Sequence, residues 1–145
     1  MTKFRSDVMK LETTNSALTS IMEYLPKIQA KGRVNRARQK LMKKIAEKYQ
    51  DFHGDLQSIK ADTEDEQKQL EEFGELLKEE VVLDMGEHEG LMHTLYEYML
   101  DYPYEIDTTP GSNREPSDAV THDHIVDVLE SAIESNQKNE NGDDE

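Results

Sequence analysis

The sequence contains no cysteine and no tryptophan, and its 145 residues include only 7 glycines and 4 prolines. The lack of cysteine excludes a disulfide framework, a thiolate metal site and a cysteine nucleophile, and it favours a reducing compartment. No stretch approaches the roughly 20 apolar residues that span a bilayer, and no apolar run follows Lys3 and Arg5, as a secretory signal requires. We therefore expect a soluble, cytoplasmic protein with no membrane contact.

Helix is the secondary structure that the rest of the composition favours. Lysine, glutamate, leucine, methionine and glutamine are plentiful, and all of them are good helix formers. Apolar and charged residues each make up 34% of the chain, so the core must be small or completed by a partner. The length fits one domain with room for a small accessory part.

Apolar residues at helical spacing predict two helices in the first 61 residues, while residues 1–11 could begin a helix of their own. The first apolar face runs from Leu18 to Ile28. We expect Pro26 to kink or end that helix, and Gly32 is a second candidate for its C-terminal end. The second pattern is the strongest and predicts one helix over 33–61, with a seam narrow enough for coiled-coil-like packing. Its members are separated by threes and fours: Val34, Ala37, Leu41, Ile45, Tyr49, Phe52, Leu56 and Ile59.

The remaining residues predict a third helix and a smaller C-terminal part. A capping box of Thr63 and Glu66 opens the third helix, which reaches about residue 80. Residues 81–83 form a β-prone run, either a strand or a linker, and a short helix follows before Pro103. After a loop at 107–117, a last amphipathic helix starts near Ser117. The apolar face of the third helix comprises Leu70, Phe73, Leu76 and Leu77.

The predicted fold class is therefore mainly α. Residues 1–80 are expected to form a three-helix antiparallel bundle or hairpin with a long central helix. Residues 81–135 are expected to form a smaller helical region packed on it, with room for one short strand. Residues 136–145 have no apolar side chain to bury, and we expect a disordered acidic tail there.

Charge is unevenly distributed along the chain. Residues 1–48 hold 12 Lys and Arg against 4 Asp and Glu, a net charge of +8, whereas residues 49–145 hold 5 against 28, a net charge of −23. A negative potential of this size repels free nucleic acid and attracts basic surfaces, including those that normally hold DNA or RNA. Solubility alone is the simpler interpretation of the same charge.

Two charged surfaces are candidate binding sites. A basic stripe opposite the apolar seam of the long helix suits a phosphate backbone or an acidic protein, although an ordinary solvated helix face looks the same. An acidic face of the third helix carries carboxylates every three or four residues and can imitate the phosphates of a duplex. The basic candidates are Arg33, Arg36, Arg38, Lys40 and Lys44, and the acidic candidates are Glu71, Glu72, Glu75, Glu79 and Glu80.

Arg38 differs from the other basic residues because it lies at the edge of the apolar seam. An unpaired guanidinium is costly there, so we expect a carboxylate partner or a position at an interface.

The sequence predicts neither an enzyme nor a bound metal or cofactor. The pairs His88/His93 and His122/His124 are five and two residues apart, so neither pair shares a helical face as zinc ligands four apart do. A glycine-rich phosphate loop, a nucleophile elbow and a Cys/His set are all absent from the sequence. Among 32 acids, close carboxylate pairs arise by chance and indicate no catalysis.

The segment Lys31-Gly32-Arg33, followed by Arg36, Arg38, Lys40 and the Leu41-Ile45-Tyr49-Phe52 run, resembles an uncharacterised family of small phage and prophage proteins from Gram-positive bacteria. Members carry a Lys-Gly-x-x-Ser-Arg-x-Arg-x-Lys stretch between two helices, and this chain departs from it at Asn35, where the family tends to have Ser. An acidic-amphipathic C-terminal helix compares with residues 127–130 here. The resemblance covers about residues 15–60 and, more weakly, 80–135. It implies a phage-encoded accessory protein and supplies no catalytic residues.

We therefore expect a phage-type protein that binds and modulates or inhibits a bacterial host protein, most sensibly a nucleic-acid-binding defence factor such as a CRISPR effector or restriction enzyme. One alternative is a virion assembly role as a self-associating chaperone, since the long seam and the opposite-charge halves favour homo-oligomers. Another is direct nucleic-acid binding through the basic stripe, which the net charge disfavours.

Overall fold

The computed structural model describes residues 9–28, 30–101 and 116–143, which form five helices and a two-stranded sheet. In chain order the elements are β1 (Lys10–Thr14), α1 (Asn15–Tyr24), α2 (Gly32–Asp62), α3 (Glu66–Lys78), β2 (Glu80–Asp84), α4 (Glu89–Asp101) and α5 (Pro116–Asp143), with single 3-10 turns at Leu25–Lys27 and Gly86–His88. The fold is mainly α with a small sheet, as the composition and periodicity predicted.

The long central helix follows the predicted seam closely. α2 spans Gly32–Asp62, and its buried apolar residues are Ala37, Leu41, Ile45 and Phe52. The prediction that Gly32 ends the preceding helix is wrong. α1 ends before the 3-10 turn at Pro26, and Gly32 begins α2 with φ of 60°, a left-handed conformation that glycine adopts without strain.

The connection between α2 and α3 differs from the predicted capping box. α3 begins at Glu66 and its N-cap is Asp65, whose side chain accepts a hydrogen bond from the backbone N–H of Gln67 at 3.0 Å. The hydroxyl of Thr63 instead donates to Glu72 Oε2 at 2.9 Å. This bond ties the end of α2 to the middle of α3.

The sheet pairs a strand before α1 with a strand after α3. β1 and β2 are antiparallel, with Leu11 opposite Leu83 and Thr13 opposite Val81. These four side chains are buried, while their neighbours along each strand are exposed, except Thr14, which is partly buried. The β-prone run at 81–83 is therefore a strand, and residues 10 and 11 also belong to a strand rather than to the start of a helix.

The C-terminal helices complete the same core. Buried residues of α4 and α5, among them Met92, Leu95 and Leu129, form one cluster with those of α1, α2 and the sheet. α5 begins at Pro116, so Ser117 lies inside the helix rather than before it. Its backbone is helical through Asp143, whereas a disordered tail was predicted from residue 136. The loop was predicted at 107–117, but residues 116 and 117 belong to α5. Residues 107–115 and Pro103 lie outside the described residues.

Candidate functional site

The first candidate surface is the acidic segment, which we define as residues 49–80. It holds 11 Asp and Glu against 3 Lys, a net charge of −8. All of these acids are exposed except Glu72, which is partly buried. Among the residues that the structure describes, none of these acids takes part in an ion pair. The segment therefore presents a net negative charge to solvent.

The five predicted acidic site residues do not all share one role. Glu71 and Glu75 are exposed one turn apart on α3, and Glu79 follows at its C-cap. Glu72 points toward α2, where its carboxylate accepts the hydrogen bond of Thr63. Glu80 is the first residue of β2. The structure thus places Glu71, Glu75 and Glu79 together and assigns Glu72 to helix packing.

A groove of about 330 Å³ opens between the end of α2 and α3. Four carboxylate residues line it beside two hydroxyl residues: Asp62, Glu72, Glu75, Glu79, Ser58 and Thr63. Ionised carboxylates are acceptors only, and a planar guanidinium offers five donors in a fixed fork. The groove is therefore chemically suited to an arginine side chain of a partner.

The apolar face predicted for α3 is only partly covered by the protein. Leu76 is buried, but Leu70 is 70% exposed and Leu77 is 39% exposed, with Phe73 partly buried between them. Hydrophobic periodicity predicts that α3 has an apolar face, but it does not predict how much of that face a neighbouring helix covers. Contiguous apolar residues exposed to solvent are a feature of docking surfaces.

The basic stripe on the first half of α2 is divided between packing and solvent. Arg33 Nε donates to Thr94 Oγ1 on α4 at 2.9 Å. Arg36 and Lys40 are exposed, and Lys44 is partly buried. The stripe keeps a net positive surface, but Arg33 is partly engaged in holding α4.

Arg38 lies apart from the stripe. Its guanidinium hydrogen-bonds to a backbone carbonyl and a side-chain amide, where a carboxylate partner was expected. Nη1 donates to the carbonyl oxygen of Leu25 at 3.1 Å and Nη2 donates to Asn35 Oδ1 at 2.6 Å. The buried Nε has no hydrogen-bond partner among the residues that the structure describes. The guanidinium therefore joins α2 to the end of α1, and Asn35, the position that departs from the phage-family pattern, is one of its acceptors.

A buried polar contact that the sequence did not predict holds α5 in place. The hydroxyl of Tyr24 lies 2.6 Å from His122 Nδ1, and His122 Nε2 lies 3.0 Å from the carbonyl oxygen of Met99. A carbonyl only accepts, so Nε2 carries a proton, and in the neutral ring Nδ1 accepts from the tyrosine. His122 thus joins α1, α4 and α5.

Three more side-chain contacts attach α5 to its neighbours. Thr13 Oγ1 lies 2.8 Å from His124 Nε2, and Lys27 forms an ion pair with Asp118 at 3.0 Å. Tyr96 donates to Glu130 Oε2 at 2.8 Å, and this hydrogen bond to the carboxylate raises the pKa of Tyr96 above its ordinary value. The sequence indicated His122 and His124 only as possible metal ligands, because their partners Tyr24 and Thr13 lie about a hundred residues away.

The described residues offer no group of three or more His, Asp or Glu side chains arranged to hold a metal ion. None of the helices in the described part of the chain is both long and apolar enough to cross a bilayer.

Comparison of the chain with protein-family models, with curated proteins and with solved structures finds no match.

Proposed function

We propose that this is a phage-encoded protein of the bacterial cytoplasm that binds a host nucleic-acid-binding protein through the acidic segment and inhibits it. The target class is a defence factor such as a CRISPR effector or restriction enzyme. Inhibition acts by occupying the groove meant for nucleic acid, so it needs no catalytic residue and no cofactor. The phage setting rests on the resemblance at residues 31–40.

The exposure of the unpaired acids is the observation that carries the proposal. Glu71 and Glu75 lie four residues apart on α3, and a like-charge pair at this spacing costs a helix about 0.2–0.5 kcal/mol. Lys68 and Lys78 lie three residues from Glu71 and Glu75, but no ion pair joins them in the described part of the chain. A role in contact with a basic surface accounts for that cost.

The spacing of the acids favours a partner that binds nucleic acid. Residues four apart on a helix recur about every 6 Å along its axis, so α3 presents negative charges in a line, as a phosphate backbone does. The neighbouring groove adds a place for an arginine, the residue that nucleic-acid-binding surfaces use most for bidentate contacts. Electrostatic steering toward such a surface accelerates association.

The test is capture on immobilised protein from nuclease-treated bacterial lysate, followed by a binding titration with each purified captured protein. The test variant replaces Glu71, Glu75 and Glu79 with glutamine, which preserves size and hydrogen bonding while removing three charges. We expect the wild type to bind basic, nucleic-acid-binding proteins and the variant to bind them at least about tenfold more weakly, because each close charge contact contributes on the order of 1 kcal/mol.

A matched control removes the same number of charges outside the acidic segment, with Glu12, Glu87 and Glu97 replaced by glutamine, all of them exposed. We expect the control to bind like the wild type. Equal binding by the wild type and the test variant contradicts the proposal, and so does equal weakening in the test variant and the control.

A further inference from the structure

A pocket of about 700 Å³ lies where the segment between α1 and α2 meets α2 and α4. Its volume falls within the range of small-molecule sites, about 300–1,000 Å³. Six of the described residues line it, two of them cations and four of them apolar or aromatic: Lys31, Arg38, Pro26, Ile28, Ala30 and Tyr98. The pocket therefore combines positive charge with carbon surface.

The two cations of this pocket have no counter-charge in the described part of the chain. Asp and Glu outnumber Lys and Arg by 32 to 17 in the sequence, yet no described acid lines the pocket. Neither Lys31 nor Arg38 forms an ion pair with any described residue. In a protein with a net charge of −15, this is a local site of the opposite sign.

The guanidinium of Arg38 also has hydrogen-bond donors to spare. A guanidinium carries five N–H bonds. Nη1 donates to the carbonyl oxygen of Leu25 and Nη2 donates to Asn35 Oδ1, and both of these acceptors are neutral. The buried Nε finds no acceptor among the described residues. Because a partly buried arginine without a counter-charge is costly, a bound anion lowers its free energy.

The other residues of the pocket favour an anion that has an apolar part. Ile28 is buried, and Ala30 and Tyr98 are partly buried, so a ligand that covers them removes more apolar surface from water. A planar carboxylate matches the fork of a guanidinium. Lys31 is exposed at the pocket, and its flexible ammonium can approach the same anion as a second cation.

We propose that this pocket binds a small carboxylic acid with an aromatic or aliphatic body. The carboxylate accepts hydrogen bonds from Arg38 and is attracted by the charge of Lys31. The body of the acid packs against Ile28, Ala30 and Tyr98.

A titration with two probe acids, indole-3-acetate and hexanoate, tests the proposal, with binding followed by NMR of the backbone amides. We expect saturable binding of at least one probe at millimolar concentrations or below, with the largest shifts at Ala30, Lys31 and Tyr98. The neutral amide of that acid keeps its shape and should bind at least about tenfold more weakly, because hydrogen bonds to a charged partner are the stronger ones. Acetate and inorganic phosphate should also bind at least about tenfold more weakly, because they lack the apolar body.

Single substitutions separate the pocket from general effects of charge. Arg38→Gln should weaken binding at least about tenfold, and Lys31→Gln, at an exposed position, about threefold. Lys43→Gln removes the same charge from an exposed position on another side of α2, and it should bind like the wild type. Circular dichroism checks that each variant is folded. Lys31→Gln decides the result if Arg38→Gln does not fold, since Arg38 also holds Leu25.

The proposal fails if neither acid binds at millimolar concentrations, or if the neutral amide, acetate or phosphate binds as tightly as the acid. It fails equally if Lys31→Gln binds like the wild type, or if Lys43→Gln weakens binding as much as Lys31→Gln does.

This pocket is separate from the acidic groove. Arg38 is 21 residues before Ile59, the α2 residue in that groove, which places them about 30 Å apart along the helix axis. The proposal therefore does not depend on the proposed function, and either can fail without the other.

Discussion

Replacing Tyr24 with phenylalanine tests how α5 is held on the rest of the fold. Tyr24 is 2% exposed and His122 is 6% exposed, and the tyrosine hydroxyl is 2.6 Å from the histidine Nδ1. The two rings meet edge to face, with centroids 5.7 Å apart and planes at 85°. The substitution removes the hydroxyl and keeps the ring, so the packing of the rings changes little.

The expected loss follows from the burial of His122. Removing one partner of a buried hydrogen bond costs about 1–3 kcal/mol, because the remaining polar atom stays away from water without its partner. We therefore expect Tyr24→Phe to lower the free energy of unfolding by about 1–3 kcal/mol. In a double-mutant cycle with His122→Leu, the coupling between the two positions should exceed about 0.5 kcal/mol.

Urea unfolding followed by circular dichroism measures this loss, with a constant m-value as evidence that the unfolded state has not changed. Tyr49→Phe is the control. Tyr49 is partly buried, and its hydroxyl has no hydrogen-bond partner within the described ranges of the chain. We expect the control to stay within about 0.5 kcal/mol of the wild type. A Tyr24→Phe protein as stable as the wild type, or coupling near zero, refutes the assigned contact.

Three further substitutions test other parts of the fold. Leu129→Ala, at a fully buried position of α5, should cost about 2–5 kcal/mol in urea unfolding, and a loss below 1 kcal/mol argues against the docked helix. Gly54→Ala should stabilise α2 by about 0.5–1 kcal/mol, because nothing lies near the added methyl group. Gly32→Ala, at φ +60°, should instead destabilise the protein by about 1–2 kcal/mol. If both substitutions change the free energy of unfolding in the same direction, the assigned backbone is contradicted. Glu130→Gln should lower the pKa of Tyr96 toward its ordinary value in an ultraviolet titration, and an unchanged pKa contradicts the hydrogen bond.

The pH dependence at Tyr96 follows from the same contact. Its pKa is raised in the folded protein, so the neutral phenol is favoured there relative to the unfolded chain. The associated stability is complete below the unfolded pKa of about 10 and is lost as the pH rises through the folded pKa. Unfolding free energy should therefore fall more steeply above pH 10 in the wild type than in Tyr96→Phe.

Local patterns in the sequence predicted the helices well. α2 was expected over 33–61 and spans 32–62, because a seam of apolar residues at threes and fours persists through its whole length. The strand β1 was missed because its partner, β2, lies about seventy residues later in the chain. Hydrophobic periodicity over five residues carries no information about a pairing at that distance.

The sequence predicted the charge of the candidate site but not which of its side chains are exposed and which are hydrogen-bonded. Sequence patterns located the acidic face of α3, yet they could not show that Glu72 bonds to Thr63 while Glu71 and Glu75 stay exposed. They also left open whether Leu70 and Leu77 are covered, since that depends on the angle at which α3 meets α2. The partners of Arg38 and His122 depend on the tertiary fold in the same way.

Competition between nucleic acid and this protein for one host protein tests the central claim most directly. The measurement is a titration of labelled duplex into the complex of the captured host protein with this chain, at several salt concentrations. The acidic segment should be displaced by the duplex, so that the apparent affinity for duplex falls in proportion to the concentration of this protein and both affinities weaken with salt. A stable ternary complex, with duplex and this protein bound together and neither weakening the other, contradicts the claim.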